Sequence, residues 1–227
     1  MAESLEARQL AEASGREERR FGELVQWNMD AKGANVSVSA GGVVTINGYG
    51  TIMSAQGVLA GGGGEAHWEV DFNQTGRGSW VGLVAVPVAV GGDQDSGHAW
   101  PNGELPLSAI GWALWGGETG GFHPMYIKGK SVAQIVGFRS GQTVGLRLKP
   151  VTSASETRAN SGDSASGAPS SAALPPPHSL IYLIDGEEVC EAFTAAELPQ
   201  DGAVTLHLAI SNAQGWAGTT RARGRRL

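Results

Sequence analysis

From Trp27 to Lys149 short apolar runs alternate with glycine-rich turns, the pattern of strands in a meandering antiparallel sheet. The clearest runs are Val36–Ser39, Val43–Ile46, His67–Phe72, Trp80–Val86, Ile110–Trp115 and Val144–Leu148. Asn47-Gly48 and the Gly61–Gly64 stretch supply turn residues that tolerate positive φ. His67–Phe72 and Trp80–Val86 read as an antiparallel hairpin, with Asn73–Ser79 as its turn. The strand pattern returns at Leu180–Ile184, passes through an Asp185-Gly186 turn into Val189–Phe193, and closes with Thr205–Ser211 and a strand from Thr219 onward.

Two stretches depart from this pattern. Residues 1–26 are polar, with Leu5, Leu10, Phe21, Leu24 and Val25 at loosely helical spacing, which predicts a short helix broken near Gly15 or a flexible segment. Between Pro150 and His178 the composition collapses to Ser, Ala, Gly and Pro, which cannot bury enough apolar surface to offset the entropy of ordering. We therefore expect a disordered insertion over 150–178 inside one domain spanning 27–227, because neither flank holds enough strands to close a sandwich alone. Such an excursion costs only about 1–2 kcal/mol more than a tight turn. At 227 residues the chain is long enough for one sizeable core. The four arginines Arg221, Arg223, Arg225 and Arg226 read as a solvated basic tail, with contact to an acidic surface as the alternative.

Composition narrows the function. The net charge of −6 carries no electrostatic footprint for nucleic acid. A single cysteine, Cys190, forms no internal disulfide and no multi-cysteine zinc site, which suits a reducing compartment. Residues 1–10 carry Glu3, Glu6 and Arg8 where a leader would need an apolar run, and no stretch reaches transmembrane length, so an intracellular, cytoplasmic location is expected.

Catalysis finds little support in the side chains. Glu69 and Asp71 share one strand face, as in sandwich glycosidases, but Gln74 stands where a second essential carboxylate is needed. His67, His98, His123, His178 and His207 are scattered, and Asp93, Asp95 and Asn102 are too sparse for a calcium loop. Cys190 has no basic neighbour in the sequence to activate it, and the Gly61–Gly64 run lacks the lysine of a phosphate-binding loop. No catalytic residue, metal or cofactor is predicted.

Several blocks, taken in order, resemble the SPRY (B30.2-like) family. Trp27-Asn28 with Asn35–Ser39 is similar to its opening strand, and Gly64–Val70 to its strand ending in Trp-Glu-Val. Val81-Gly82-Leu83, Ile110–Leu114, Gly141–Leu146 and the Leu183–Gly186 turn with Ala192-Phe193 follow in the family's order. The Pro150–His178 insertion replaces a short turn, and Leu206–Ser211 lacks the proline of the corresponding late strand. The resemblance implies a bent antiparallel β-sandwich that docks a peptide or protein on loops at one end, as an adaptor or scaffold. Related modules recruit substrates to ubiquitin ligases, but no ligase segment is visible here.

The long Pro87–Ser108 segment and the Asn212–Gly218 segment are the candidate recognition loops. Of the seven tryptophans, Trp68 and Trp112 are expected in the core and Trp80 at its rim. Trp100 and Trp216 are expected to anchor a partner, with Thr51, Asn102, Trp115, Tyr126 and Gln214 completing the partner-binding set. A lectin-like carbohydrate-binding sandwich and a constitutive subunit of a larger assembly are the alternative readings, since loop aromatics stack on sugars as readily as on peptides.

Overall fold

The computed structural model describes residues 22–30, 32–60, 65–88, 107–117, 121–151, 177–200, 202–212 and 218–227. Fifteen strands within them form two antiparallel sheets facing each other across one core. Sheet 1 runs β13 (Glu187–Phe193), β12 (His178–Ile184), β11 (Thr143–Pro150), β6 (Ala66–Gln74), β15 (Thr219–Arg226), β3 (Val43–Asn47) and β2 (Val36–Val38), with β1 (Glu23–Leu24) also pairing with β15. Sheet 2 runs β10 (Lys130–Val136), β9 (Phe122–Ile127), β8 (Trp112–Gly116), β7 (Ser79–Pro87), β14 (Val204–Asn212) and β4 (Gly50–Met53), with β5 (Val58–Leu59) beside β14. One helical turn, α1 (Leu107–Ile110), lies against sheet 2.

Alternation explains which face is buried. In β6, Trp68, Val70 and Phe72 point inward at 1% exposure or less, while His67, Glu69 and Asp71 point outward and are half-buried. Val81, Leu83, Leu114, Leu206, Leu208 and Ile210 supply the facing layer from sheet 2. Trp68 and Trp112 are core residues at 1% and 3% exposure. At about 25 cal/mol per Å² of apolar surface, this two-sheet core is the main favourable term in folding.

β6 and β7 do not form the expected hairpin. β6 pairs with β11 and β15, whereas β7 pairs with β8 and β14, so residues 75–78 carry the chain from one sheet to the other. Adjacent amphipathic strands bury their apolar faces equally well by facing each other across a core as by pairing edge to edge, and periodicity does not distinguish the two. Ser79 Oγ and Thr220 Oγ1, buried and 2.6 Å apart, tie the sheets together at this crossing, and Thr220 Oγ1 also accepts from the Gly76 N–H.

Three further expectations need correction. Residues 22–26 are extended rather than helical: Glu23 and Leu24 register against Arg226 and Arg225, and residues 1–21 lie outside the described residues. The arginines are not a tail, because β15 lies between β6 and β3 in sheet 1, with Ala222 and Gly224 turned inward and Arg221, Arg223 and Arg225 outward. Ile110 belongs to α1, and its strand begins at Trp112.

Strands from both sides of the proline-rich stretch interleave. β11 and β12 pair along their whole lengths, Pro150 opposite His178, and the Val151 N–H donates to Pro177 O at 2.7 Å. Val151 and Pro177, the described residues flanking 152–176, are therefore adjacent. The Asp185-Gly186 turn closes β12 onto β13 with φ of 52° and 84°, the left-handed pair that a two-residue hairpin needs. Asp185 also accepts from the Thr143 N–H at 2.9 Å and from Gln142 Nε2 at 3.0 Å.

Candidate functional site

The sandwich has two ends. At the crossover end lie the 75–78 connection, the Asn47–Gly50 turn, Gly116, Asn212 and Thr219; at the insertion end lie Ala66, Pro87, Pro150 and His178. Register gathers the described candidates near the first of these. Thr51 pairs with Ser211, Ser211 with Trp80 and Trp80 with Trp115, so these four form one row across the outer face of sheet 2. At about 4.8 Å between strands the row spans roughly 14 Å. Tyr126 stands one row away, opposite Ala113 on β8.

An aromatic cluster is built on this row. Trp80 and Trp115 stack at 5.4 Å between ring centroids, Tyr126 meets Trp80 edge-on at 5.3 Å, and His123 lies 4.8 Å from Trp115. Trp80 is buried at 6% exposure, while Trp115, Tyr126 and His123 are half-buried and present the cluster's outer edge. Trp115 Nε1 donates to Arg77 O at 3.2 Å, which fixes the ring over the crossover. Trp80 Nε1 is buried without a hydrogen-bond partner among the described residues. Met53, Val84, Leu107, Ala113 and Ala209 underlie the cluster as a second, smaller apolar core.

Thr51 is almost fully buried, at 2% exposure, so it forms the wall of the site rather than its surface. Trp100, Asn102, Gln214 and Trp216 lie outside the described residues. The anchor points of their segments do converge: the Leu107 N–H donates to Ser211 Oγ at 3.1 Å, and Asn212 Nδ2 donates to Gly48 O at 2.6 Å. Both chain ends therefore sit beside Trp80. By contrast, the segment after Val88 leaves from the insertion end, where the Val88 N–H bonds Ala203 O.

Sequence reading placed Trp80 at a rim and missed β9, the strand that carries Tyr126 and His123. Pro124 in mid-strand hid it, because proline is confined to edge or weakly bonded positions in sheets. The outward alternation of Trp80, Val84 and Val86 on β7 was the available signal for a second apolar face.

Of the two carboxylates of β6, Asp71 is engaged away from this site. On sheet 1, Asp71 Oδ1 accepts from Thr143 Oγ1 at 2.7 Å and Asp71 Oδ2 pairs with Arg225. Burial and the nearby charge of Glu188 push the Cys190 thiol up, away from thiolate chemistry at neutral pH. Among the described residues no group of three His, Cys, Asp or Glu is placed to hold a metal ion, and no helix is long and apolar enough to cross a membrane. The sparse Asp93, Asp95 and Asn102 positions lie outside the described residues.

This architecture is the fold of a SPRY domain. The chain superimposes on the SPRY domain of human HERC1 with a TM-score of 0.52 and 15% identity, covering 88% of this chain and 96% of that one. Another human SPRY domain matches at a TM-score of 0.47 and 13% identity, covering 83% and 94%. The carbohydrate recognition domain of Emp46p matches at 0.44 and 10%, covering 88% of each chain. No protein-family model and no curated protein sequence matches the chain.

Proposed function

We propose that the chain is a non-catalytic protein-interaction module that binds a peptide or protein partner at the crossover end of sheet 2, as an adaptor or scaffold. The observation that carries this reading is the row Thr51–Ser211–Trp80–Trp115, where half-buried Trp115, with Tyr126 one row away, presents a rigid aromatic edge on the sheet that carries Asn212 and holds Leu107 through Ser211. Aromatic side chains with few rotatable bonds supply contact area at low entropic cost, which is why they dominate binding hot spots. The SPRY fold supports the reading, since the HERC1 domain shares it. The whole of residues 27–227 acts as one domain, with residues 152–176 as an insertion between β11 and β12.

Affinity purification of the full chain from cell extract, followed by mass spectrometry, tests the proposal. Trp115→Ala is expected to lose at least one protein that the wild type recovers, with the melting temperature preserved. An unchanged set of recovered proteins refutes the placement. A glycan array run beside it separates the rival reading: saturable binding of a defined sugar that Trp115→Ala abolishes assigns the same aromatic edge to carbohydrate.

A further inference from the structure

The opposite face of the sandwich carries a second feature, built from the arginines of β15. Arg221, Arg223 and Arg225 alternate with Thr220, Ala222 and Gly224, so all three guanidinium groups stand on the outer face of sheet 1. The strand is pinned from beneath. A Cβ on Gly224 would lie 2.9 Å from the Trp27 ring and 3.2 Å from the Val25 side chain, so only a strand with minimal inward side chains fits there. Pairing with β6 on one side and β3 on the other holds the backbone rigid.

Between these strands lies an open cavity of about 320 Å³, lined by Val43, Asp71, Asn73, Arg221 and Arg223. Its one carboxylate is already engaged. Asp71 gives one oxygen to Thr143 and the other to Arg225, although Arg223 is its direct partner in the strand register. Arg221 and Arg223 are both exposed and make no ion pair among the described residues. Arg223 Nη2 lies 3.5 Å from the point where a Gly41 Cβ would stand, which places its head group beside the turn between β2 and β3, at one wall of the cavity. On a chain of net charge −6, two guanidinium groups with no ion pair among the described residues, at a formed cavity, are a local exception.

We propose that this cavity binds an extended acidic segment of a partner protein, through carboxylates on alternate residues. Arg221 and Arg223 have Cα atoms about 6.6 Å apart, the spacing between alternate side chains of an extended peptide. Each guanidinium can then take one carboxylate in a two-pronged hydrogen bond, with Asn73 as a neutral donor and acceptor and Val43 as apolar floor. A nucleic acid is disfavoured, because a long phosphate backbone would extend beyond this pair of cations onto a protein whose net charge of −6 has the same sign as the phosphates. The site is separate from the aromatic edge on sheet 2, so the two surfaces are occupied independently.

Fluorescence anisotropy on the full chain at low salt tests this with a fluorescein-labelled peptide in which glutamate alternates with serine, against one of identical composition with its glutamates in a single block. The alternating peptide is expected to bind more tightly. Arg221→Gln with Arg223→Gln is expected to weaken it about tenfold, while Lys130→Gln, which removes an exposed cation on sheet 2, leaves it unchanged. Arg223→Lys keeps the charge but loses the planar fork, so its affinity is expected to fall between wild type and the double variant. Circular dichroism and thermal melting establish that the variants fold. Absence of binding, equal affinity for the two peptides, equal affinity of the double variant, or full displacement by inorganic phosphate at matched charge concentration would each overturn the proposal, the last by identifying a simple anion site.

Discussion

Phe138 and Gly116 form a pair whose separate and joint replacement tests how the two sheets are held apart beneath the aromatic edge. Phe138 is fully buried, packs on Phe72 of sheet 1 with ring centroids 4.3 Å apart, and bridges to Gly116 at the end of β8 in sheet 2. A Cβ on Gly116 would stand 2.3 Å from Phe138 Cε2, and the sealed ring has no solvent to turn into. Phe138→Ala removes a fully buried aromatic side chain, for which about 3–5 kcal/mol is expected. Gly116→Ala overpacks the same spot and is expected to cost about 1–3 kcal/mol. In the double variant the ring that the new methyl would strike is gone, and the methyl occupies part of the vacated volume. The joint loss is therefore expected to fall short of the sum by about 1–2 kcal/mol. Equilibrium urea unfolding followed by tryptophan fluorescence, with m-values compared to establish two-state behaviour, supplies all four corners of the cycle. Additivity within about 0.5 kcal/mol would refute the contact as drawn.

Other consequences are open to direct measurement. Thr220→Val keeps the side-chain shape but strips the buried hydroxyl that bonds Ser79 and the Gly76 N–H, and a loss of about 1–3 kcal/mol is expected from the same unfolding assay. His207 is held neutral by burial, with its Nδ1 2.8 Å from Ser54 O and its Nε2 2.9 Å from Thr205 Oγ1; the hydrogen bond to Ser54 acts the other way but is the lesser influence. The unfolded chain takes up the proton more readily, so this contribution to stability is complete above about pH 6.5 and falls as the pH drops through 6.5 and below. Burial lowers His67 as well and adds to the same trend. Urea midpoints between pH 7.5 and 5.5 should show it, with a shallower fall in His207→Asn. Replacing residues 152–176 by a short Gly-Ser linker is expected to leave one cooperative unfolding transition within about 1 kcal/mol of wild type, because Val151 and Pro177 are already hydrogen-bonded neighbours. Two separated transitions would contradict the single-domain reading.

Much of the architecture was legible because the strand signal rests on local facts. Trp68, Val70 and Phe72 announce a half-buried strand through alternation, and Asp185-Gly186 announces its hairpin through left-handed φ values. What periodicity cannot encode is the partner of each strand. β6 and β7 read as a hairpin because their patterns suit either edge pairing or facing across a core. The arginines of β15 read as a charge run because the inward residues between them are alanine and glycine, which carry little hydrophobic signal; the strand becomes visible only when Trp27 and Val25 are seen to need that empty space. β4 was missed for a related reason: Gly50, Thr51, Ile52 and Met53 are buried on both faces, so nothing alternates. At the candidate site, Trp115 and Tyr126 are expected partner-binding residues from the sequence, but the row joining Trp115 to Thr51 through Trp80 and Ser211 depends on register across four strands, which no local pattern reveals.

The two outer faces divide the molecule's chemistry. Sheet 2 presents ordered aromatic surface, and sheet 1 presents charge, with Arg147 paired to Glu188 at 2.7 Å and Arg225 to Asp71 along the same face. Hydrogen–deuterium exchange of the full chain, with and without a partner recovered by affinity purification, measures most directly which face is used. The account predicts that the partner slows exchange in peptides covering Trp112–Gly116 and Phe122–Ile127. Protection confined to His178–Phe193, with those two strands unchanged, would contradict it.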